Sequence, residues 1–300
     1  MDLFNRIVVT MLPLVPKPIV ARVSRRYIAG ARLSDAVQVV RDLNARGIMA
    51  TVDVLGEYVK DEKEAWEAAE IYKKVLAAIA ENRLDANISI KLTQMGLKLG
   101  HGVCREVVAS IMTAARERGT FVRVDMEDST CTDETIDLFL SIRKDFDNAG
   151  IVVQSCLRRT LGDVARLAPL GTNFRLCKGI YIEPRGISYR DPEIIRSNFV
   201  LLLEEMLRQG CYVGIATHDE RLVWSALATI HRLQVPRERF EFQMLLGVDA
   251  ELRRIIVESG CRMRVYVPFG ERWHAYSVRR LKENPKIVGY AMKAFFDRES

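Results

Sequence analysis

Asp191-Pro-Glu-Ile-Ile-Arg-Ser-Asn-Phe-Val-Leu-Leu-Leu-Glu-Glu-Met-Leu-Arg-Gln209-Gly210-Cys211-Tyr-Val-Gly-Ile-Ala-Thr217 holds one complete structural unit. Asp191 is an N-cap residue and Pro192 suits the first helical position, where its missing N–H costs nothing. Good helix formers follow to Gln209. Gly210 then tolerates the left-handed conformation that closes a helix. The short run Cys211 to Thr217, rich in apolar and β-branched residues, has the length of a strand and not of a helix. The stretch reads as helix, stop, strand.

The same pattern extends in both directions. Strand-like runs also occur at Gly47 to Asp53, Asn87 to Thr93, Phe121 to Asp125, Ile151 to Gln154, Asn173 to Lys178, Phe240 to Leu245 and Met263 to Val267, eight in all. Five runs are entered through a glycine: Arg46-Gly47, Arg118-Gly119, Ala149-Gly150, Gln209-Gly210 and Ser259-Gly260. Helix formers such as Glu62 to Asn82 fill the intervals. A chain of 300 residues, 49% hydrophobic, can form two domains or one α/β barrel of roughly 250 residues. Eight βα units with no low-complexity linker and no change of composition point to the barrel. A dinucleotide-binding sheet is disfavoured, because the first strand ends Val52-Asp-Val-Leu-Gly-Glu57 without G-x-G-x-x-G. The expected architecture is an α/β fold, a distorted (βα)8 TIM barrel over 47–284, preceded by a helical segment over 1–46 and followed by a helix over 285–300.

Composition excludes disulfide scaffolds, coiled coils and disordered tails. Six cysteines stand singly without C-x-x-C pairs or metal-ligand spacing to the four histidines, as expected of reduced thiols in a cytoplasmic protein that needs no metal. A net charge of +6 favours acidic ligands or anionic surfaces. The apolar stretch Ile7 to Val15 is interrupted or followed by Pro13, Pro16 and Pro18 and falls short of the roughly 20 residues that span a bilayer. It reads as a docking or capping segment. With Arg22, Arg25 and Arg26 behind it, it is also the expected site of any peripheral membrane contact.

Barrels of this kind carry their chemistry at the carboxyl ends of the strands. Those ends supply Asp53, Lys91, Asp125 with Glu127, Gln154, Arg175 with Lys178, Thr217 with His218, Gln243 and Tyr266. Any one of them could cap a helix or complete a rim pair. Together they suit a polar cofactor and a small charged substrate. After the last run comes Tyr266-Val-Pro-Phe-Gly-Glu-Arg-Trp-His-Ala-Tyr276-Ser-Val-Arg279-Arg280-Leu-Lys-Glu283-Asn-Pro285. If helical from Trp273, it places Tyr276, Arg279, Arg280 and Glu283 on one face, where two guanidinium groups can hold one carboxylate while Glu283 orients a guanidinium. A solvated Arg-Glu surface helix has the same pattern.

Here the sequence resembles a family. Arg279-Arg280-Leu-Lys-Glu283-Asn-Pro285 after the Tyr-Val-Pro-Phe-Gly turn is similar to the signature of the proline dehydrogenases, flavin enzymes that oxidise proline to Δ1-pyrroline-5-carboxylate. Further stretches match in the same order: Asp53 to Glu57, Ser89-Ile-Lys91-Leu-Thr-Gln, Arg123-Val-Asp125-Met-Glu-Asp, Val153-Gln154, Arg175-Leu-Cys-Lys178-Gly-Ile-Tyr181, Ala216-Thr-His218-Asp and Phe240-Glu-Phe-Gln-Met-Leu245. The match covers Val52 to Pro285.

The resemblance implies FAD over the strand ends and hydride transfer from L-proline to the flavin N5, with electrons passing on to a membrane quinone. It implies that Lys91, Arg279 and Arg280 bind the proline carboxylate, with Tyr266, Tyr276, Tyr181 and Leu245 as pocket walls. Asp125 and Arg175 match the active-site acid and the flavin-side arginine. Met126, Gln154, Arg175, Lys178, Gly179, Ile180, Thr217 and His218 fall at FAD-contacting positions. Glu57 matches a carboxylate that pairs with a substrate arginine when the site is empty.

Cys177, Ile180 and Ile182 stand where the family commonly has Val, Ala and Trp. Ile182 therefore offers no aromatic face for stacking. Ile180 brings bulk near the flavin, at a cost of about 1 to 3 kcal/mol if the pocket is closed there. The resemblance suggests that such aromatic walls favour unsubstituted proline, with a hydroxyproline dehydrogenase as the alternative within the family. With no room for an aldehyde dehydrogenase domain, the product would pass to a separate pyrroline-5-carboxylate dehydrogenase. The expected location is the cytoplasm, with any peripheral contact on the inner face of the membrane. Two other classes remain. One is a barrel lyase or aldolase using Lys91 or Lys178 as a Schiff-base nucleophile. The other, a nucleic-acid module built on Arg279, Arg280 and Lys282, lacks the interleaved aromatics it would need, so no nucleic-acid partner is expected.

Overall fold

A computed structural model describes residues 26–273. The Ile7 to Val15 stretch, Arg22, Arg25, Tyr276, Arg279, Arg280, Lys282, Glu283 and the expected helix over 285–300 lie outside the described residues.

Helix α1 (Leu33–Asn44) precedes eight strands, β1 (Met49–Val54), β2 (Ala86–Ile90), β3 (Val122–Val124), β4 (Ala149–Gln154), β5 (Asn173–Cys177), β6 (Tyr212–Ala216), β7 (Phe240–Leu245) and β8 (Met263–Phe269). Between them run α2 (Glu62–Glu81), α3 (His101–Glu117), α4 (Thr132–Arg143), α5 (Thr160–Leu167), α6 (Pro192–Arg208), α7 (Glu220–Leu233) and α8 (Ala250–Glu258). All neighbouring strands pair in parallel and in sequence order, and β8 pairs back onto β1, with Thr51 opposite Tyr266 and Val54 opposite Phe269, to close a (βα)8 barrel. α1 packs on β8 and β1, along the closing seam.

The α6 to β6 unit shows why the sequence folds this way. The Asp191 carboxylate accepts from the N–H groups of Glu193 at 2.8 Å and Ile194 at 3.2 Å, a cap typically worth about 1 kcal/mol. Phe199, Leu202, Leu203 and Met206 recur at helical spacing and are fully buried. Gly210, at φ 70°, donates to the Leu207 carbonyl and turns the chain into β6. Val213 and Ile215 alternate outward under the helices and are also fully buried. The apolar core thus lies between sheet and helix ring.

The inward positions are largely polar. Thr51, Asp53, Ser89, Arg123, Arg175, Glu241, Gln243 and Arg264 are all buried, and they bond to groups on or just past other strands of the barrel.

Two expectations about the strands need correcting. The run to Thr93 stops as a strand at Ile90, because the N–H groups of Gln94 and Met95 turn back onto the Lys91 carbonyl and lift Lys91 to the barrel mouth. Gly150 does not close a helix; it lies inside β4. A Cβ there would stand 2.4 Å from both Arg123 Nη1 and the Asn173 carbonyl oxygen, so it is the space for Arg123 that calls for glycine. All six cysteines are free thiols, and burial raises those of Cys104 and Cys177 to about 12. Among the described residues no helix is long and apolar enough to cross a membrane.

Candidate active site

The carboxyl ends of the strands surround a cavity of about 1130 Å³. Lys91 stands just past β2, Asp125 just past β3, Arg175 within β5 and Tyr266 within β8, and all four meet on one wall. Asp125 is the hub. Its Oδ1 accepts from Ser89 Oγ at 2.5 Å and Arg175 Nη1 at 2.8 Å, and its Oδ2 accepts from the Tyr266 hydroxyl at 2.8 Å. Lys91 Nζ lies 3.7 Å from the same Oδ2 and donates to Asp53 Oδ1 at 2.7 Å and to the Tyr266 hydroxyl at 3.3 Å. Asp125 thus ties Ser89, Lys91, Arg175 and Tyr266 into one bonded group.

Two carboxylates share one ammonium in this cluster. Burial works against the charge on Lys91, but Asp53 and Asp125 outweigh it and hold the lysine above its ordinary pKa. Burial also raises the Asp53 carboxyl, helped by repulsion from Asp125 and opposed by Lys91. The Tyr266 phenol is pushed well up, first by burial and then by the same two carboxylates. The wall therefore presents a fixed ammonium, a guanidinium and a neutral phenol. Such a set can bind a small carboxylate.

The rest of the cavity edge comes from the ends of β4, β5 and β6. The Gln154 amide donates to the Glu127 carbonyl at 2.9 Å and the Met126 carbonyl at 3.3 Å, fixing both residues at the cavity edge. Gly179 follows β5 at φ 98°, and a Cβ there would stand 2.3 Å from Cys156 Sγ and 2.8 Å from Gln154 Oε1. Lys178 Nζ donates to Asp219 Oδ2 at 3.1 Å, and Arg196 Nε, from the first half of α6, reaches the same oxygen at 2.7 Å. Burial opposes ionisation of Asp219, but these donors keep its carboxyl below the ordinary aspartate value. The Thr217 hydroxyl accepts from the Asp219 N–H at 3.1 Å, and His218 Nε2 accepts from the Leu245 N–H at 2.9 Å, joining the ends of β6 and β7.

Lys91, Asp125, Met126, Gln154, Arg175, Lys178, Gly179, Ile180, Tyr181, Thr217, His218, Leu245 and Tyr266 all line this one cavity. Glu57 is half-buried in the loop after β1, and the arginines expected to pair with it lie outside the described residues. Ile180 is 45% exposed at the cavity edge, so its bulk meets open space there and not a closed wall. Ile182 points away into solvent at 96% exposure. Asp53 and Gln243, counted among the strand ends that suit a polar cofactor and a small charged substrate, join this site as buried partners of Lys91 and Arg175. Asp219 enters the sequence reading only as the last residue of the Ala216 to Asp219 match, and Arg196 does not enter it at all. Arg196 had a signal: it follows the Asp191-Pro192 cap by one turn, on the helix that leaves β5, where a side chain can return to the mouth.

The chain matches the family model described as proline dehydrogenase over residues 36–185 and 193–291. It is 35% identical over 275 residues to proline dehydrogenase 1 of Bacillus subtilis (strain 168), covering 92% of this chain and 91% of that protein. It is 33% identical over 279 residues to proline dehydrogenase of Deinococcus radiodurans, covering 90% and 89%. Among solved structures, proline utilization A from Bdellovibrio bacteriovorus, inactivated by N-propargylglycine, superposes with a TM-score of 0.82 at 26% identity over 88% of this chain. Proline utilization A from Corynebacterium freiburgense superposes at 0.77 with 21% identity over 96%, a likeness of fold. The chain spans about a third of the length of these solved proteins, 33% and 34%.

Proposed function

The chain belongs to the proline dehydrogenase family, and we propose that it oxidises L-proline to Δ1-pyrroline-5-carboxylate with FAD as the resident oxidant. One observation carries the reading: Lys91, Asp125, Arg175 and Tyr266 form a single bonded cluster on the wall of a cavity large enough for a dinucleotide and a small amino acid.

The donor chemistry of the cavity fits FAD. Lys178 and Arg196 converge on one carboxylate oxygen of Asp219 at the cavity edge, which supports their holding an anionic diphosphate there. Gly179 keeps the backbone open beside Gln154, and Met126, Ile180, Thr217 and His218 supply the remaining edge. Bound FAD supplies the two-electron acceptor for the hydride that leaves the proline ring carbon next to nitrogen.

The protein's own residues do the rest. Lys91, kept protonated by Asp53 and Asp125, binds the substrate carboxylate, and Arg279 and Arg280 join it by the family pattern. Three cations around one carboxylate offset the cost of drying it. The same positive field lowers the pKa of the bound secondary amine and favours the neutral form that can release hydride. Tyr266, with Tyr181, Leu245 and, by the family pattern, Tyr276, closes the pocket around an unsubstituted ring, which supports proline over hydroxyproline. Arg175, held against Asp125, keeps a positive charge beside the reacting centre. Glu57 is the partner of a substrate arginine in the empty site. A quinone as final electron acceptor, a peripheral contact with the inner face of the membrane and transfer of product to a separate pyrroline-5-carboxylate dehydrogenase complete the reading, supported by the family resemblance.

The lysine-nucleophile alternative runs against the electrostatics, since Lys91 is held charged between two carboxylates and Lys178 is paired with Asp219. To decide between them, the flavin-loaded protein is given L-proline and a soluble quinone analogue. Proline-dependent quinone reduction is expected. A protein that takes up no FAD but is trapped on lysine by borohydride would overturn the proposal.

A further inference from the structure

Gln243 on β7 fills space that its neighbour leaves empty: a Cβ on Gly214 of β6 would lie 2.3 Å from Gln243 Nε2. The amide is bonded at both ends. Its Oε1 accepts from Arg175 Nε at 2.6 Å, and its Nε2 donates to Glu241 Oε1 at 2.6 Å. Glu241 is 1% exposed and meets only donors, namely Arg264 Nε at 2.6 Å, Arg264 Nη2 at 3.1 Å and the Tyr212 hydroxyl at 2.7 Å. Burial opposes its charge, but Arg264 and these bonds bring its carboxyl down to about 2. The charged and titratable groups facing the Gln243 to Glu241 contact are therefore Arg123 from β3, Arg175 from β5, Tyr212 from β6 and Arg264 from β8.

These contacts fix which way the amide points. A carboxylate without a proton can only accept, so it must face the NH2 end of Gln243 and leave the carbonyl end for Arg175. With Nε engaged, the guanidinium plane is set, and Nη1 meets Asp125 Oδ1 at 2.8 Å and Ser89 Oγ at 3.2 Å. We propose that Gln243, oriented by Glu241, is a positioning residue that locks the Arg175 guanidinium against Asp125 at the cavity wall. Gln243 lines the cavity itself, but both ends of its amide are engaged by Arg175 and Glu241, so it acts through Arg175. The inference rests on the proposed function, because Arg175 is taken to face the reacting centre.

Two variants of the holoenzyme test it. Gln243→Met keeps the volume and removes both bonds, so kcat for proline should fall by about 10- to 100-fold while KM stays within about threefold. The reduction potential of the bound flavin, measured without substrate, should move to a more negative value as the positive charge loses its place. Gln243→Glu keeps an acceptor for Arg175 and needs one proton in place of the lost N–H against Glu241. Its kcat relative to wild type should therefore recover as pH is lowered, whereas the ratio for Gln243→Met should stay flat. Wild-type kcat and potential in Gln243→Met, or equal ratios for both variants at every pH, would overturn the positioning role. If Gln243→Met does not fold, the pH dependence of Gln243→Glu decides alone. A wild-type protein that binds no FAD and leaves proline unoxidised defeats the functional reading itself, and with it this inference.

Discussion

Lys91 Nζ lies 2.7 Å from Asp53 Oδ1, and Asp53 has no exposure to solvent. Its second oxygen, Oδ2, meets no donor among the described residues. The ammonium is thus what makes a buried carboxylate tolerable at the base of the site, and the carboxylate keeps the ammonium charged. Removing either partner leaves the other uncompensated.

Lys91→Met should accordingly cost about 3 to 5 kcal/mol of stability at neutral pH, and Lys91→Met with Asp53→Asn should recover part of it. The loss should shrink in acid. A carboxyl whose folded pKa is raised contributes stability below its ordinary value and loses it as pH rises through the folded one. Urea unfolding of the single and double variants at pH 5 and pH 8 checks this. Additive losses independent of pH would mean that the pair is not coupled.

The opposite sign holds at Glu241. Its folded pKa of about 2 lies below the ordinary glutamate value of 4.5, so it stabilises the fold above 4.5 and that contribution is lost as pH falls towards 2. The amount is on the order of 3 kcal/mol. Glu241→Gln should be less stable at neutral pH and show a flatter acid limb, which unfolding curves between pH 2 and pH 6 will show. An acid limb as steep as in wild type would assign the acid sensitivity to other carboxylates.

Gly179→Ala places a methyl carbon 2.3 Å from Cys156 Sγ at a backbone φ of 98°. We expect a loss of about 1 to 3 kcal/mol in stability and weaker FAD uptake, because the strain falls on Gln154 as well. Thermal unfolding and flavin titration of the variant measure the two effects. Unchanged values for both would show that the turn adapts freely.

How much of this was readable in the chain follows from range. Asp191, Pro192 and Gly210 act within a few residues, so helix starts, stops and strands were legible from local chemistry. The strand ends placed Lys91, Asp125, Arg175 and Tyr266 on one mouth because parallel barrel strands all point the same way. What escaped was pairing over distance. Arg175 and Gln243 are 68 residues apart, and Arg123 and Asn173 are 50 apart; each alone passes for a rim or loop residue. Gly150 misled for the same reason, since its partner Arg123 comes from a neighbouring strand and not from the preceding helix. Arg196 was missed because a helix residue rarely belongs to a strand-end site unless, as here, it lies in the turn nearest the mouth.

Lys178 and Arg196 share Asp219 Oδ2 at 3.1 and 2.7 Å, which predicts a charge-based hold on the cofactor. Lys178→Met and Arg196→Met should each weaken FAD binding by about tenfold or more, and the loss should narrow as salt is raised. Fluorescence titration of the flavin at low and high salt reads both. Equal affinity in wild type and both variants would remove the diphosphate role from this pair.

One spectrum tests cofactor and substrate together. Purified protein loaded with FAD should show the visible bands of an oxidised flavin, and these should bleach without oxygen when L-proline is added. Flavin bands that persist unchanged under saturating L-proline, or a protein that stays colourless after incubation with FAD, would contradict it.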